Sequence, residues 1–301
     1  MIRAFVSGVS AALLFAGVVL AADAPPDSKD WRPVDPDNLV LIGTKYGEVA
    51  VELSPAFAPK HVERMRALIR AHFFDGTNFY RVIEGFVAQG GVGEDTASTA
   101  NKPVDPATLK KWPEMKAEFE RPWGPDVQFT PSGSPDLFAK QTGHVDGFPV
   151  GRDPKKKTEW IIHCPGTFAF ARDNAADTAS TEFYIVIGEA PRRLDRNLTA
   201  FGRVLDGMQY VQKLNRGDPE VDNGVIADKA KQDPITYMKL ASDMPDAERP
   251  HYEVMRTDSS AFAAWKKNKK NPAPGFYIRQ PPPILDICLA PVPVRKIPVK
   301  T

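Results

Sequence analysis

A mainly β fold, a closed antiparallel barrel of short strands capped by two helices, is what this sequence predicts. Three observations carry it. Short β-prone runs with period-two alternation recur through the first 240 residues, separated by Gly-, Pro- and Asp-rich breaks. Within that length two segments, residues 59–72 and 207–214, place apolar side chains at helical spacing. The stretch from Asn78 to Gly91, NFYRVIEGFVAQGG, sets two strand segments on either side of a Glu84-Gly85 break.

The elements follow in order. Asn38 to Lys45 and Glu48 to Leu53 flank Tyr46-Gly47 and read as a hairpin. Ala58-Pro59 opens a helix, with proline at the first position, where its missing N–H costs nothing. Val62, Met65, Leu68, Ile69 and His72 form its apolar side, so His72 is expected to pack rather than to ligate. Phe79 to Ile83 and Phe86 to Gln89 are the next two strands, and they carry Arg81 and Gln89 beside Phe86 and Val87. Residues 92–165 form a long connection, and Trp123, Phe129, Phe138, Phe148 and Trp160 imply that part of it is ordered. Its Lys155-Lys156-Lys157 run reads as a solvated hairpin tip, and His144 and His163 are too few and badly spaced for a metal site. Thr167 to Ala171, Glu182 to Ile187, Ala200 to Val204 and Ile235 to Ala241 complete the strands. Met208, Val211 and Leu214 mark the second helix, with Gly217 as its stop.

Phe79-Tyr80-Arg81, Gly85-Phe86 and Gln89-Gly90-Gly91 resemble the F-H-R-(I/V)-I-x-G-F-x-x-Q-G-G signature of the cyclophilins, the peptidyl-prolyl cis–trans isomerases. A second block, Gly166 to Val204, is similar to the family's segment that runs through S-Q-F-F-I to V-F-G-(K/R)-V. The resemblance covers roughly 39–241 and is to extended, exported bacterial members. It implies an eight-stranded cyclophilin-like barrel at 38–241, and it leaves unexplained a loop insertion at about 120–160 and a C-terminal extension, 242–301, which is expected to pack on the barrel. It also implies Arg81 as the catalytic residue. Phe86, Val87, Tyr184, Leu194 and Leu198 then stand at proline-pocket positions. Gln89, Arg172, Asp173 and Glu182 stand at positions that meet the peptide backbone. Four positions depart from the family pattern: Tyr80 replaces His, Glu182 replaces Gln, Leu198 replaces His or Tyr, and Arg193 stands where some members have Trp.

The termini have a grammar of their own. Arg3 precedes an apolar run, Ala11 to Leu20, that ends in small residues, so 1–21 reads as a signal peptide, the alternative being a membrane anchor. Export to the periplasm or beyond follows, with no stable membrane insertion after cleavage. Residues 22–37, rich in Pro and Asp, form a leader arm in which Trp31 either docks or stays half-buried. The formal net charge of +1 gives no broad basic field for nucleic acid, so Lys266 to Lys270 is read as a charged helix end rather than a nucleic-acid tail. Ser259 is a candidate cap for that helix, and eight prolines between Pro272 and Pro298 exclude helix and central strand beyond it. The two cysteines, Cys164 and Cys288, would pair in an oxidising compartment and staple the tail to the barrel; two separately buried thiols are the alternative.

The chemistry of X–Pro isomerisation needs few parts. Rotation breaks amide conjugation against a barrier of about 18–20 kcal/mol. A fixed guanidinium aimed at the pyramidal prolyl nitrogen favours the twisted state over either planar one. Arg81 fits that role, and a surface ion-paired arginine is the plain alternative. No metal, nucleotide or other cofactor is required, and the expected partners are proline-containing polypeptide clients. A carboxylate only accepts hydrogen bonds, so Glu182 is expected to pair with Arg81 or Arg172 and to make catalysis modest, unless it points to solvent. A non-catalytic peptide-binding module or chaperone using the same groove is the competing function.

Overall fold

The computed structural model describes residues 28–93, 105–125, 127–188, 190–273 and 275–298. The expected signal segment, 1–21, and the start of the leader arm, 22–27, lie outside these residues. In chain order the elements are β1 (Trp31–Pro33), β2 (Leu39–Thr44), β3 (Gly47–Leu53), α1 (Pro59–Arg70), β4 (Asn78–Val82), β5 (Val87–Gly91) and α2 (Pro106–Leu109). The insertion supplies β6 (Arg121–Pro122), β7 (Thr130–Pro131), β8 (Gln141–Val145), β9 (Phe148–Asp153) and β10 (Thr158–Ile161). Then follow β11 (Thr167–Phe170), β12 (Phe183–Val186), β13 (Ala200–Asp206), α3 (Met208–Val211), β14 (Asp233–Pro234) and β15 (Tyr237–Leu240). The extension holds β16 (His251–Met255), α4 (Ser260–Lys270) and β17 (Val294–Ile297).

The main sheet runs β14-β4-β5-β12-β11-β13-β3-β2-β15, every pair antiparallel. It curls into a half-barrel, and the closed eight-stranded barrel expected from the sequence is not formed. The reason lies in residues 233–240, which serve both edges: Asp233-Pro234 pairs with β4 and Tyr237–Leu240 pairs with β2. Hydrogen bonding on the β4 side runs on past Pro234, the Ile235 amide donating to the Thr77 carbonyl (2.7 Å), and the chain then crosses to β2, so the two edges meet through this segment and do not pair with each other. Phe74, Phe79, Phe168, Phe170, Phe183 and Phe201 fill the concave side without solvent exposure. Burial of each such ring contributes roughly 1.5–3 kcal/mol.

Helix α1 lays Val62, Met65, Leu68 and Ile69 on this core. Its N-cap residue, Ala58, has no side chain to cap with. Glu118 supplies the cap from the far end of the next connection, accepting from the amides of Lys60 (3.2 Å) and His61 (3.1 Å). His72 does not pack: it lies just past the helix with φ 52°, exposed, beside Asp75. His61 is the buried histidine of this helix. The second capping helix, α3, is a single turn, shorter than its apolar spacing suggested, though Val211 and Leu214 still reach the core.

The insertion is an antiparallel five-stranded sheet, β6-β10-β9-β8-β7, and Lys155–Lys157 form the exposed tip of its β9–β10 hairpin. The leader arm and the extension build a third sheet, β1-β16-β17, over Leu39, Leu41 and Ala50 of the main sheet. Trp31 is half-buried there beneath the Arg295 guanidinium, 4.3 Å from the ring centre. Glu52 takes Arg32 (2.7 Å) and Arg203 (2.9 Å), a buried triad that ties the arm to the main sheet. Ser259 caps α4 by accepting from the Phe262 amide (3.1 Å), and Phe262 is fully buried.

Cys164 and Cys288 are disulfide-bonded across 124 residues of sequence, beside Trp160, Ile162 and Ile287. On the chain-entropy account a loop of this length stabilises by about 4–5 kcal/mol. The double variant Cys164→Ser/Cys288→Ser should therefore move the urea midpoint down by most of that free energy. An unchanged midpoint would mean that packing alone holds the tail.

Candidate active site

One cross-strand row organises the site. Register pairs Arg81 with Gln89, Gln89 with Tyr184, and Tyr184 with Ala169, so four neighbouring strands present these residues on the convex side of the sheet. Phe79, Gly90, Phe183 and Phe170 make the matching row on the concave side. A β-bulge permits both. Phe79 opposes Gly90 while Arg81 opposes Gln89, so Tyr80 is the extra residue, and it reverses the phase of β4. Without it Arg81 would share the face of Phe79. Gly85, at φ 68°, makes the turn that returns the chain into β5.

The row is held by hydrogen bonds. Arg81 donates from Nη1 to Gln89 Oε1 (3.0 Å) and from Nε to the Asn223 carbonyl (2.8 Å). Its Nη2 has no hydrogen bond among the described residues. Gln89 donates from Nε2 to the Tyr80 hydroxyl. Tyr80 in turn hydrogen-bonds Glu182. Arg81, Gln89, Tyr80 and Glu182 thus form one relay.

The expected ion pair of Glu182 with Arg81 or Arg172 is not made among the described residues. The Glu182 carboxyl instead accepts from the backbone amides of Val92 (2.9 Å) and Gly93 (3.4 Å). It lies against Gly91, where an added Cβ would sit 2.4–2.6 Å from the carboxyl atoms, and Gly91 has φ 142°. Glycine is the residue that fits both demands. Glu182 as a residue keeps some exposure, but its carboxyl group is enclosed by protein. Burial pushes its pKa up to about 7, opposed by the Tyr80, Val92, Gly93 and Thr181 hydrogen bonds.

The predicted site residues divide between two adjoining lobes. Phe86, Val87, Tyr184, Leu194 and Leu198 share one apolar cluster. Val87 and Tyr184 are its buried floor, while Phe86, Leu194 and Leu198 remain partly exposed. Gln89, Arg172, Asp173 and Glu182 line a polar cavity of about 330 Å³ with Tyr80, Ala171, Thr178, Ser180 and Thr181. Arg172 is fixed by the carbonyls of Asn197 (2.9 Å) and Asn174 (3.1 Å). Arg81 stands beside this cavity as the partner of Gln89.

Two features escaped the sequence reading. Val145, Phe148, Val150 and Ile161 of the insertion pack on the convex face of the main sheet in the same cluster as Val87 and Tyr184. His163, one residue before the disulfide, reaches the Tyr184 hydroxyl from Nε2 (2.9 Å). The aromatics of the insertion signalled order but gave no docking face, and nothing in the spacing of His163 points to residue 184.

A sequence model of the cyclophilin type peptidyl-prolyl cis-trans isomerase/CLD family matches residues 39–239, well over half of the chain. The chain belongs to this family, and its enzyme class is that of a peptidyl-prolyl cis–trans isomerase. It is 28% identical over 201 residues to a probable peptidyl-prolyl cis-trans isomerase of Brucella suis, covering 65% of this chain and 81% of that one. A peptidyl-prolyl cis-trans isomerase of Helicobacter pylori is 28% identical over 179 residues, with 59% and 80% covered. Among solved structures, cyclophilin AquaCyp293 from Hirschia baltica superposes with a TM-score of 0.72 at 28% identity, covering 91% of this chain and 96% of that chain. That likeness therefore reaches beyond 39–239, into the extensions.

The raised pKa of Glu182 fixes a sign for stability. The folded state holds the proton more tightly than the unfolded chain, whose carboxyl titrates near 4.5. The associated stability is full below that value and is lost as pH rises towards 7, on the order of 3 kcal/mol in all. Glu182→Gln does not titrate, so its stability relative to wild type should climb across that window. Superimposable urea-midpoint profiles from pH 4.5 to 8 would show that the carboxyl is not held neutral.

Proposed function

We propose that this protein isomerises X–Pro bonds of exported polypeptides, with Arg81 as the catalytic residue and with modest activity. The observation that carries the reading is the guanidinium of Arg81. Two of its three nitrogens are fixed by Gln89 and by the Asn223 carbonyl, and Nη2 has no hydrogen bond among the described residues, beside an apolar slot and a polar cavity. The prolyl ring enters the slot of Phe86, Leu194 and Leu198 over Val87 and Tyr184. Flanking backbone lies along Arg172, Asp173 and Glu182. As the bond twists, the prolyl nitrogen gains a lone pair that Arg81 stabilises, and that stabilisation is absent from either planar state. No covalent intermediate is needed.

Modest activity is supported by the relay. Gln89 gives one of its two amide N–H donors to Tyr80, which fixes the side chain and leaves a single donor for a substrate carbonyl. Leu198 adds apolar surface and no hydrogen bond. Export is supported by the apolar run at 11–20 and by the Cys164–Cys288 bond. A mature amino terminus at Ala22 in an extracytoplasmic fraction is the expected finding, and retention of Met1 would count against export.

In a coupled prolyl-peptide assay, Arg81→Ala should lower kcat/KM by tenfold or more, each tenfold step being about 1.4 kcal/mol of transition-state stabilisation. Tyr80→Phe, which releases the Gln89 amide, should raise it severalfold. Wild type and Arg81→Ala equally inactive, with proline peptide still bound, would replace the enzyme reading with the peptide-binding one.

A further inference from the structure

A buried polar chain runs beneath the apolar slot and has no part in the chemistry just described. Tyr184, on the slot floor, meets His163 Nε2 through its hydroxyl at 2.9 Å, and the two rings stack at 19°. His163 Nδ1 faces Asp195 Oδ1 at 3.0 Å, and the same oxygen accepts the His163 amide at 2.8 Å. A carboxylate only accepts, so the hydrogen sits on Nδ1 and Nε2 is left to accept from the tyrosine. Asp195 Oδ2 takes Arg192 Nε at 3.0 Å. Arg192 then closes a two-pronged pair on Asp136, at 2.9 and 2.8 Å, under the Phe138 ring. The side chains of His163, Asp195, Arg192 and Asp136 are all at most 8% exposed.

The ends of this chain are informative. One end is the floor of the slot. The middle, Arg192 and Asp195, brackets Leu194, the wall of the slot, on the short helix 190–194 and the residue after it. The other end, Asp136, belongs to the insertion, between β7 and β8. We propose that His163 is a positioning residue for the proline slot, and that the insertion, through Asp136, Arg192 and Asp195, sets the distance between the Tyr184 floor and the Leu194 wall. The inference rests on the isomerase reading only in taking this slot as the place of the prolyl ring.

Several physical points support it. Burial, with the Asp195 charge, holds the Tyr184 phenol well above its ordinary pKa, so it stays an O–H donor. Buried and fully satisfied polar networks fix one geometry, because any displacement leaves a group unpaired at a cost that water cannot repay. The paired forks of Arg192 and Asp136 fix direction as well as distance. The floor is fixed on β5 and β12, whereas the Leu194 wall sits on a short helix that would otherwise adjust freely against it.

The test uses the full mature protein and a proline tetrapeptide. Asp136→Asn removes the charge at the insertion end, where it touches neither Tyr184 nor Leu194. It should raise KM about threefold to tenfold and change kcat by less than twofold, the signature of a slot that binds the ring less well. Asp136→Glu, which keeps the carboxylate, should recover most of the loss. His163→Asn should raise KM similarly, and its effect should vanish on a Tyr184→Phe background, since His163 acts through that hydroxyl. Lower melting temperatures with KM unchanged in Asp136→Asn and His163→Asn would overturn the proposal, leaving the chain a stabilising network only. If His163→Asn does not fold, Asp136→Asn and Tyr184→Phe decide the matter. If the wild type binds the peptide without catalysis, the same comparison is made on Kd, so that the isomerase reading falls while the positioning network is still judged.

Discussion

One extra residue in β4 governs the site. The bulge at Tyr80 lets Phe79 point into the concave core and Arg81 point outward beside Gln89, although they are two positions apart and would otherwise share a face. Everything at the site depends on that phase change. The Arg81–Gln89–Tyr184–Ala169 row exists because β4 is out of step with its own beginning. The displaced residue, Tyr80, is also the one that links Gln89 to Glu182.

The sheet then has two apolar faces rather than one. Its concave face takes the phenylalanine cluster and α1. Its convex face takes Val87, Tyr184, Val186 and Ala200, and the insertion sheet covers part of it with Val145, Phe148 and Val150. A curled half-barrel whose outer surface carried these residues uncovered would expose a large apolar patch, a feature soluble chains avoid unless they use it. What stays partly exposed is the stretch around Phe86, Leu194 and Leu198, the place proposed for the prolyl ring. The insertion thus shares one apolar cluster with Val87 and Tyr184 of the main sheet.

The departures from the family pattern are absorbed locally. A carboxylate in place of an amide at Glu182 finds backbone N–H groups and the Tyr80 hydroxyl, and Gly91 gives it room. Tyrosine in place of histidine at position 80 provides the hydroxyl that both Glu182 and Gln89 use. The two changes therefore make sense as a pair, each supplying the other's partner. Arg81 keeps its Gln89 contact, and among the described residues no acid pairs with it.

The strands of the main sheet other than β14, α1 with its opening proline, the Ser259-capped α4 and the cysteine pair were legible in the sequence, because each rests on local periodicity, local capping or simple arithmetic. The resemblance in 78–91 and 166–204 carried Arg81, Gln89 and the slot residues to their numbers. The bulge was not legible, since inserting one residue leaves composition and β-propensity unchanged and alters only which carbonyl meets which amide. Nor were the backbone partners of Glu182, because the amides of Val92 and Gly93 are like those at every other position until the chain is folded. The open half-barrel was decided by residues 233–240, which pair first with β4 and then with β2, a choice fixed only once both edges lie beside them. His163 is the plainest case. Its partners come from residues 184 and 195, and a side chain whose role is set by contacts across the fold has no signature along the chain.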